Sequence, residues 1–173
     1  MYKVVVTGPF NSGKSTLVRT LAPKSFSIDA RTSSPLKDHT TVLMDYGVAE
    51  VNGYRVRIFG TPGQPRFRPI IHGIISMSFD GGIFVVDSAD PANIITAKMM
   101  YEALRGVLSS YVRVHVVAAN KQDKVTAVPP ERVRALMRVP PDVPVLPLVA
   151  TRRESALSVL SALMELVKRS SLK

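Results

Sequence analysis

At 173 residues the chain suits a single domain, residues 1–173, with room for a sizeable core. Cysteine is absent, which excludes disulfides, thiolate metal sites and prenyl or palmitoyl attachment, and the longest apolar run is strand-sized, far short of a membrane span. The net charge of +10 is dispersed, with only small clusters (Arg132/Arg134/Arg138, Lys168/Arg169/Lys173) and no interleaved aromatics, so it reads as a solvated surface that also attracts nucleotide phosphates; no nucleic acid is expected as partner, while peripheral contact with an anionic membrane stays open.

In chain order, residues 3–7 read as a buried strand and 15–21 as a helix. A strand starting this early leaves no room for a signal peptide ahead of it, and Tyr2 in place of glycine removes N-myristoylation; a cytoplasmic chain is the expectation. Between strand and helix, Gly8-Pro9-Phe10-Asn11-Ser12-Gly13-Lys14-Ser15 fits G-x-x-x-x-G-K-[ST], the loop whose backbone N–H groups wrap nucleotide phosphates. Gly8 and Gly13 permit backbone angles and a close approach that a Cβ would obstruct. The helix N-terminus, opening at Ser15 and Thr16, adds orphan N–H groups and a positive dipole end. Lys14 places a point charge on the outer phosphates, and the Ser15 hydroxyl is a ligand for Mg²⁺.

Residues 42–51 and 54–59 read as two antiparallel strands joined at Asn52-Gly53, a turn whose residues tolerate positive φ. A strand at 83–87 precedes a helix announced by Asp90-Pro91, a carboxylate cap followed by proline at the first helical position. Strand 112–119 follows, then a short helix opening at Pro129-Pro130-Glu131. Strand 144–149 comes next, and the last helix repeats Leu157, Leu160, Leu163 and Val167 at helical spacing. The pattern predicts a doubly wound α/β fold of the P-loop type: six strands, mostly parallel with one antiparallel hairpin strand, and helices on both faces. Ligands of such sheets bind beyond the carboxyl ends of the strands, where all these motifs fall.

The P-loop implies a nucleoside triphosphate without naming its base. Asn120-Lys121-Gln122-Asp123, at a strand end, names guanine. The Asp123 carboxylate accepts from the ring N1–H and the exocyclic amine of guanine, whereas adenine offers a lone pair there and leaves the carboxylate unpaired. Asn120 is expected to bond the other edge of the base and the Lys121 stem to lie over its face.

With these motifs in this order, the chain resembles the Ras-superfamily small GTPases over essentially its whole length. It is most similar to the prokaryotic branch with F-G-T-P-G-Q in the second switch, here Phe59 to Gln64, while residues 84–90 are also similar to Arf-type proteins. The resemblance implies GTP and GDP as ligands, Mg²⁺ as cofactor, and slow hydrolysis. It implies that Thr41 (or Thr40 beside it) binds Mg²⁺ and the γ-phosphate and that Gly63 reads the γ-phosphate. Gln64 orients the attacking water, with Lys14 and Thr41 completing the catalytic set, and a backbone N–H of Ala150 or Thr151 caps the guanine oxygen. Residues 25–41 and 60–76 would be the two switch loops read by effectors, and a roadblock-type regulatory partner is implied by resemblance alone.

Two departures stand out. Gly60 occupies the place of an aspartate that in the family serves the metal; Asp87 or Asp38 is a candidate substitute, although an Asx turn at the strand end is the preferred role for Asp87. Phe10 stands third in the P-loop, where its ring would crowd an incoming arginine. Arg31, Arg66 and Arg68 are candidate charge stabilisers from the same chain, with solvated loop positions the preferred reading, as for His39 and His72. A guanine-nucleotide-binding scaffold with negligible hydrolysis, a P-loop kinase or ATPase, and a charge-driven nucleic-acid adaptor are the alternatives.

Overall fold

The computed structural model describes residues 1–28 and 44–172. Its strands are Tyr2–Thr7 (β1), Phe26–Ile28 (β2), Met44–Val51 (β3), Tyr54–Gly60 (β4), Phe79–Asp87 (β5), Val112–Asn120 (β6) and Val145–Pro147 (β7). They form one seven-stranded sheet in the order β2-β3-β4-β1-β5-β6-β7. β1 is parallel to both its neighbours, β4 and β5, and β6 and β7 extend the parallel run. β3 and β2 are antiparallel at the other edge. The α/β architecture is the expected one, with a strand beyond the six predicted. β2 pairs Phe26 with Tyr46 and Ser27 with Asp45, inside the stretch expected to be the first switch loop. Three residues are too few to display a strand's alternation.

The β3–β4 hairpin turns at Asn52 (φ 50°) and Gly53 (φ 77°), both positive as a type I′ turn requires. β5 begins at Phe79, ahead of the expected residue 83; the weak strand propensity of Asp80-Gly81-Gly82 conceals the earlier start in the sequence. Packing explains those glycines. A Cβ on Gly81 would sit 3.0 Å from Leu163, and one on Gly82 would sit 3.1 Å from Val112.

Alternation along β1 divides the core. Val4 and Val6 pack with Leu17 and Leu21 of α1 (Lys14–Leu21) and with Leu160 and Leu163 of α5 (Arg153–Ser171). Val5 faces the other way, toward Ile71 and Ile75 of α2 (Arg68–Ile75), Tyr101 and Leu104 of α3 (Pro91–Tyr111) and Met137 of α4 (Pro130–Met137). Each such side chain, fully buried, contributes about 1.5–3 kcal/mol, so the carboxyl ends of the strands are held from both faces. α3 starts as its sequence predicts: Asp90 Oδ1 accepts from the Ala92 N–H at 2.9 Å and Pro91 occupies the first turn. Within 60–76, expected as a loop, Pro65–Phe67 forms a 3-10 turn that leads into α2. After β1 the chain crosses toward β4, and after β5 toward β6. The divergence opens a crevice at the carboxyl ends of β1 and β5.

Candidate functional site

Residues 8–13 carry β1 into α1 across that crevice. Gly8 (φ 140°) lies so close to β5 that a Cβ would stand 2.2 Å from the Val85 carbonyl oxygen. Gly13 (φ 102°) lies equally close to Asn120, where a Cβ would stand 2.2 Å from Nδ2. Both glycines are therefore required by close approach as well as by backbone angle. As the N-cap of α1, Gly13 brings no side-chain acceptor, so the first-turn N–H groups are left to a ligand or solvent. The Ser12 hydroxyl is fully buried and has no partner among the described residues. Lys14 is buried too: its ammonium donates to the Pro9 carbonyl at 2.6 Å, and burial pulls its pKa down to about 8 against the opposing pull of the Asp45 carboxylate. An orphaned hydroxyl and a desolvated ammonium beside open N–H groups fit an anion with several acceptor oxygens.

Ser15 Oγ donates to Asp45 Oδ2 at 2.5 Å, and Ser27 Oγ donates to Asp45 Oδ1 at 2.5 Å. Sequence reasoning missed Asp45. The available signal is alternation, since Asp45 shares the inward face of β3 with Gly47, Ala49 and Val51, and an acid among small and apolar residues on that face calls for a partner. Among the described residues no three His, Cys, Asp or Glu side chains converge. A metal here would take most of its ligands from phosphate and water, as Mg²⁺ does, and the hard oxygens of Ser15 and Asp45 fit that ion. Thr41, Thr40, Asp38, His39 and Arg31 lie outside the described residues.

Asp87 does not turn toward this group. Its Oδ1 accepts from the Ala89 N–H at 2.9 Å, the Asx turn expected of it, and its Oδ2 pairs with Lys121 Nζ at 2.5 Å. The idea that Asp87 serves the metal is corrected by that pairing, which ties the Lys121 ammonium to the end of β5; the Lys121 backbone is left-handed (φ 66°). Asn120 also differs from expectation. Its Nδ2 donates to the Ser12 carbonyl at 2.8 Å and its Oδ1 accepts from the Ala150 N–H at 2.9 Å, so it ties the P-loop, the β6 end and the loop after β7 together. The same bond commits the Ala150 N–H, one of the two backbone donors expected to cap the base. Gln122 anchors the loop through Ser88 Oγ (2.8 Å) and the Val128 carbonyl (2.9 Å), and Asp123 is exposed at its tip.

A second residue outside the motifs is Asn93, buried in the first turns of α3. Its Oδ1 accepts from the Asp87 N–H at 3.0 Å, and its Nδ2 donates to the Phe10 carbonyl at 2.8 Å. The asparagine thus braces the P-loop against the end of β5, while the Phe10 ring is 55% exposed. Gly63 passes directly over the P-loop: a Cβ would meet Lys14 Nζ at 2.5 Å and Phe10 N at 2.7 Å. Gln64 lines a cavity of 140 Å³ between the second switch segment and α3, with Arg68, Ile71, Thr96, Met99 and Leu104. Arg66 stacks on Phe67 at 4.8 Å, and both Arg66 and Arg68 are exposed. His72 is half-buried.

The chain is similar to several known proteins. The family described as signal recognition particle receptor beta subunit matches residues 1–139. An uncharacterized protein of Methanocaldococcus jannaschii is 35% identical over 65 residues, 38% of each chain. ADP-ribosylation factor-like protein 4D of Mus musculus is 29% identical over 121 residues, 70% of this chain and 58% of that protein. The chain thus spans 38% and 58% of the lengths of these two relatives. The structure of the Arl6 (BBS3) small GTPase of Trypanosoma brucei with bound GppNp superposes with a TM-score of 0.76 over 98% of both chains at 21% identity, a likeness of fold. A family match running from β1 through the P-loop and the 120–123 loop to the end of α4 decides the assignment: the chain belongs to the signal recognition particle receptor beta subunit family.

Proposed function

We propose that the protein is a guanine-nucleotide switch: it binds GTP and GDP with Mg²⁺, hydrolyses GTP slowly, and presents the segments around residues 25–41 and 60–76 to effectors in two shapes. The observation that carries this reading is the Asn120 tie, which joins the phosphate loop and the guanine loop into one body. Lys14 and the N–H groups of residues 11–16 hold the phosphates, and Ser15 and Thr41 hold the metal. When bound, Mg²⁺ neutralises charge on the outer phosphates. Asp123 accepts from the guanine N1–H and amine, Lys121 lies along the ring, and the Thr151 N–H caps the guanine oxygen. Gly63 reads the γ-phosphate from its place above Lys14, and Gln64 orients the attacking water.

Titration with fluorescent GDP and ADP tests the base assignment, with a marked preference for the guanine nucleotide expected. Equal affinities would reject it, in favour of a P-loop kinase or ATPase. A scaffold that barely hydrolyses is the second reading. It is favoured by the placement of Gln64 in the cavity beside α3. Single-turnover hydrolysis separates the two: Gln64→Leu lowers the rate in a switch and changes nothing in a scaffold. The run from Phe59 to Gln64 supports a place in the prokaryotic branch, and with it regulators of the roadblock type. No described helix is long and apolar enough to cross a membrane; a cytoplasmic setting, with the basic surface available to anionic partners, completes the proposal.

A further inference from the structure

We propose that Asp45 supplies the carboxylate that couples Ser15 to Mg²⁺, doing from β3 what an acidic residue at position 60 would do from β4. The inference rests on the Mg²⁺–nucleotide reading above. P-loop nucleotide sites hold the ion with the loop serine or threonine and an aspartate from a nearby strand. Among the described residues, Asp87 is committed to Lys121 and the Ala89 N–H. Asp45 is bonded to the Ser15 hydroxyl itself.

The direction of that bond matters. Ser15 donates its only proton to Asp45 Oδ2, so the hydroxyl oxygen keeps its lone pairs for a cation. Ser27 donates to the other carboxylate oxygen and fixes the orientation of the group from β2. The carboxylate is buried and also lies in the electrostatic field of Lys14, so its charge acts at the place where the phosphates and their ion would meet.

The sheet register explains why the acid stands on β3. Asp45 and Gly60 are direct cross-strand partners. A Cβ on Gly60 would stand 3.1 Å from the Asp45 Cβ and 3.3 Å from its Oδ2, with Val18 Cγ2 also at 3.3 Å. Two aspartates facing each other there would collide and repel, so the pair of positions accommodates one carboxylate. In this chain β3 provides it, and glycine at position 60 gives it the space.

The test measures release of fluorescent GDP from the full chain across buffered free Mg²⁺, without reference to hydrolysis. Wild type should release GDP more slowly as Mg²⁺ rises. Asp45→Asn, close to isosteric, should show its Mg²⁺ midpoint, referred to its own release rate in chelator, moved up by about 10–100-fold, the usual cost of losing an outer-shell partner. The exchange variant Asp45→Gly with Gly60→Asp, its fold checked by circular dichroism, should bring the midpoint back toward wild type. A wild-type midpoint in Asp45→Asn overturns the proposal, as does a folded exchange variant that recovers nothing. Wild-type release that ignores Mg²⁺ would instead overturn the underlying Mg²⁺–nucleotide reading, and this inference with it.

Discussion

The two ends of the crevice are built differently. At the phosphate end the binding groups are backbone N–H groups, a buried ammonium and a buried hydroxyl, set in place by Gly8 against β5, Asn93 on the Phe10 carbonyl and Asn120 on the Ser12 carbonyl. At the end proposed to take the base, the group assigned to selection is one carboxylate, Asp123, exposed at the tip of a loop whose other residues do the anchoring. On the proposed reading the phosphate end is held by contacts within the protein and is indifferent to the base, while the base end adds discrimination through a single side chain. Asn120 belongs to both, and so couples affinity at one end to position at the other.

Substitutions at the two ends should separate affinity from selectivity. The largest effect is expected from Gly13→Ala, which forces a Cβ to within 2.2 Å of Asn120 Nδ2 at φ 102°. Strain of this kind costs on the order of 1–3 kcal/mol before the clash is counted, so guanine and adenine nucleotides should both weaken, by about 100-fold or more. A loss confined to guanine nucleotides would show that the two ends are not divided as described. Next comes Asp123→Ala. Competition titrations should show guanine affinity falling by about 10–100-fold with adenine affinity unchanged, since the lost bonds are charge-assisted and specific to guanine. Equal losses for both bases would assign Asp123 to loop structure instead.

The smallest effect is one of pH and belongs to the phosphate end alone. Burial in the fold pulls the Lys14 pKa down to about 8, against 10.5 for the ordinary side chain. Between those values the unfolded chain carries the proton and the fold sheds it, so stability rises with pH across that window. Nucleotide binding works the other way, because phosphates require the charged form. Affinity measured by equilibrium titration should fall by up to about tenfold per unit as pH rises above 8. Lys14→Arg should abolish that slope, because a guanidinium stays charged there; a persisting slope would assign the titration to another group.

Much of this protein is legible in one dimension because local chemistry dictates it. The P-loop glycines, the Asn52-Gly53 turn, the Asp90-Pro91 helix start and the Leu160/Leu163/Val167 stripe stand where the sequence predicts, since each depends on backbone angles, caps or periodicity within a few residues. What only the tertiary structure decided involves partners far apart in the chain. Asn120 is a tie between loops because Ser12 and Ala150 converge on it. Asp87 is claimed by Lys121 and Asn93 braces Phe10. Gly60 faces Asp45 only once the register of β3 on β4 is set. A strand's alternation tells which residues point inward, but not what they meet there; the pairing of strands settles that, and it moved the site's carboxylate from the position the motif suggests to the one across from it.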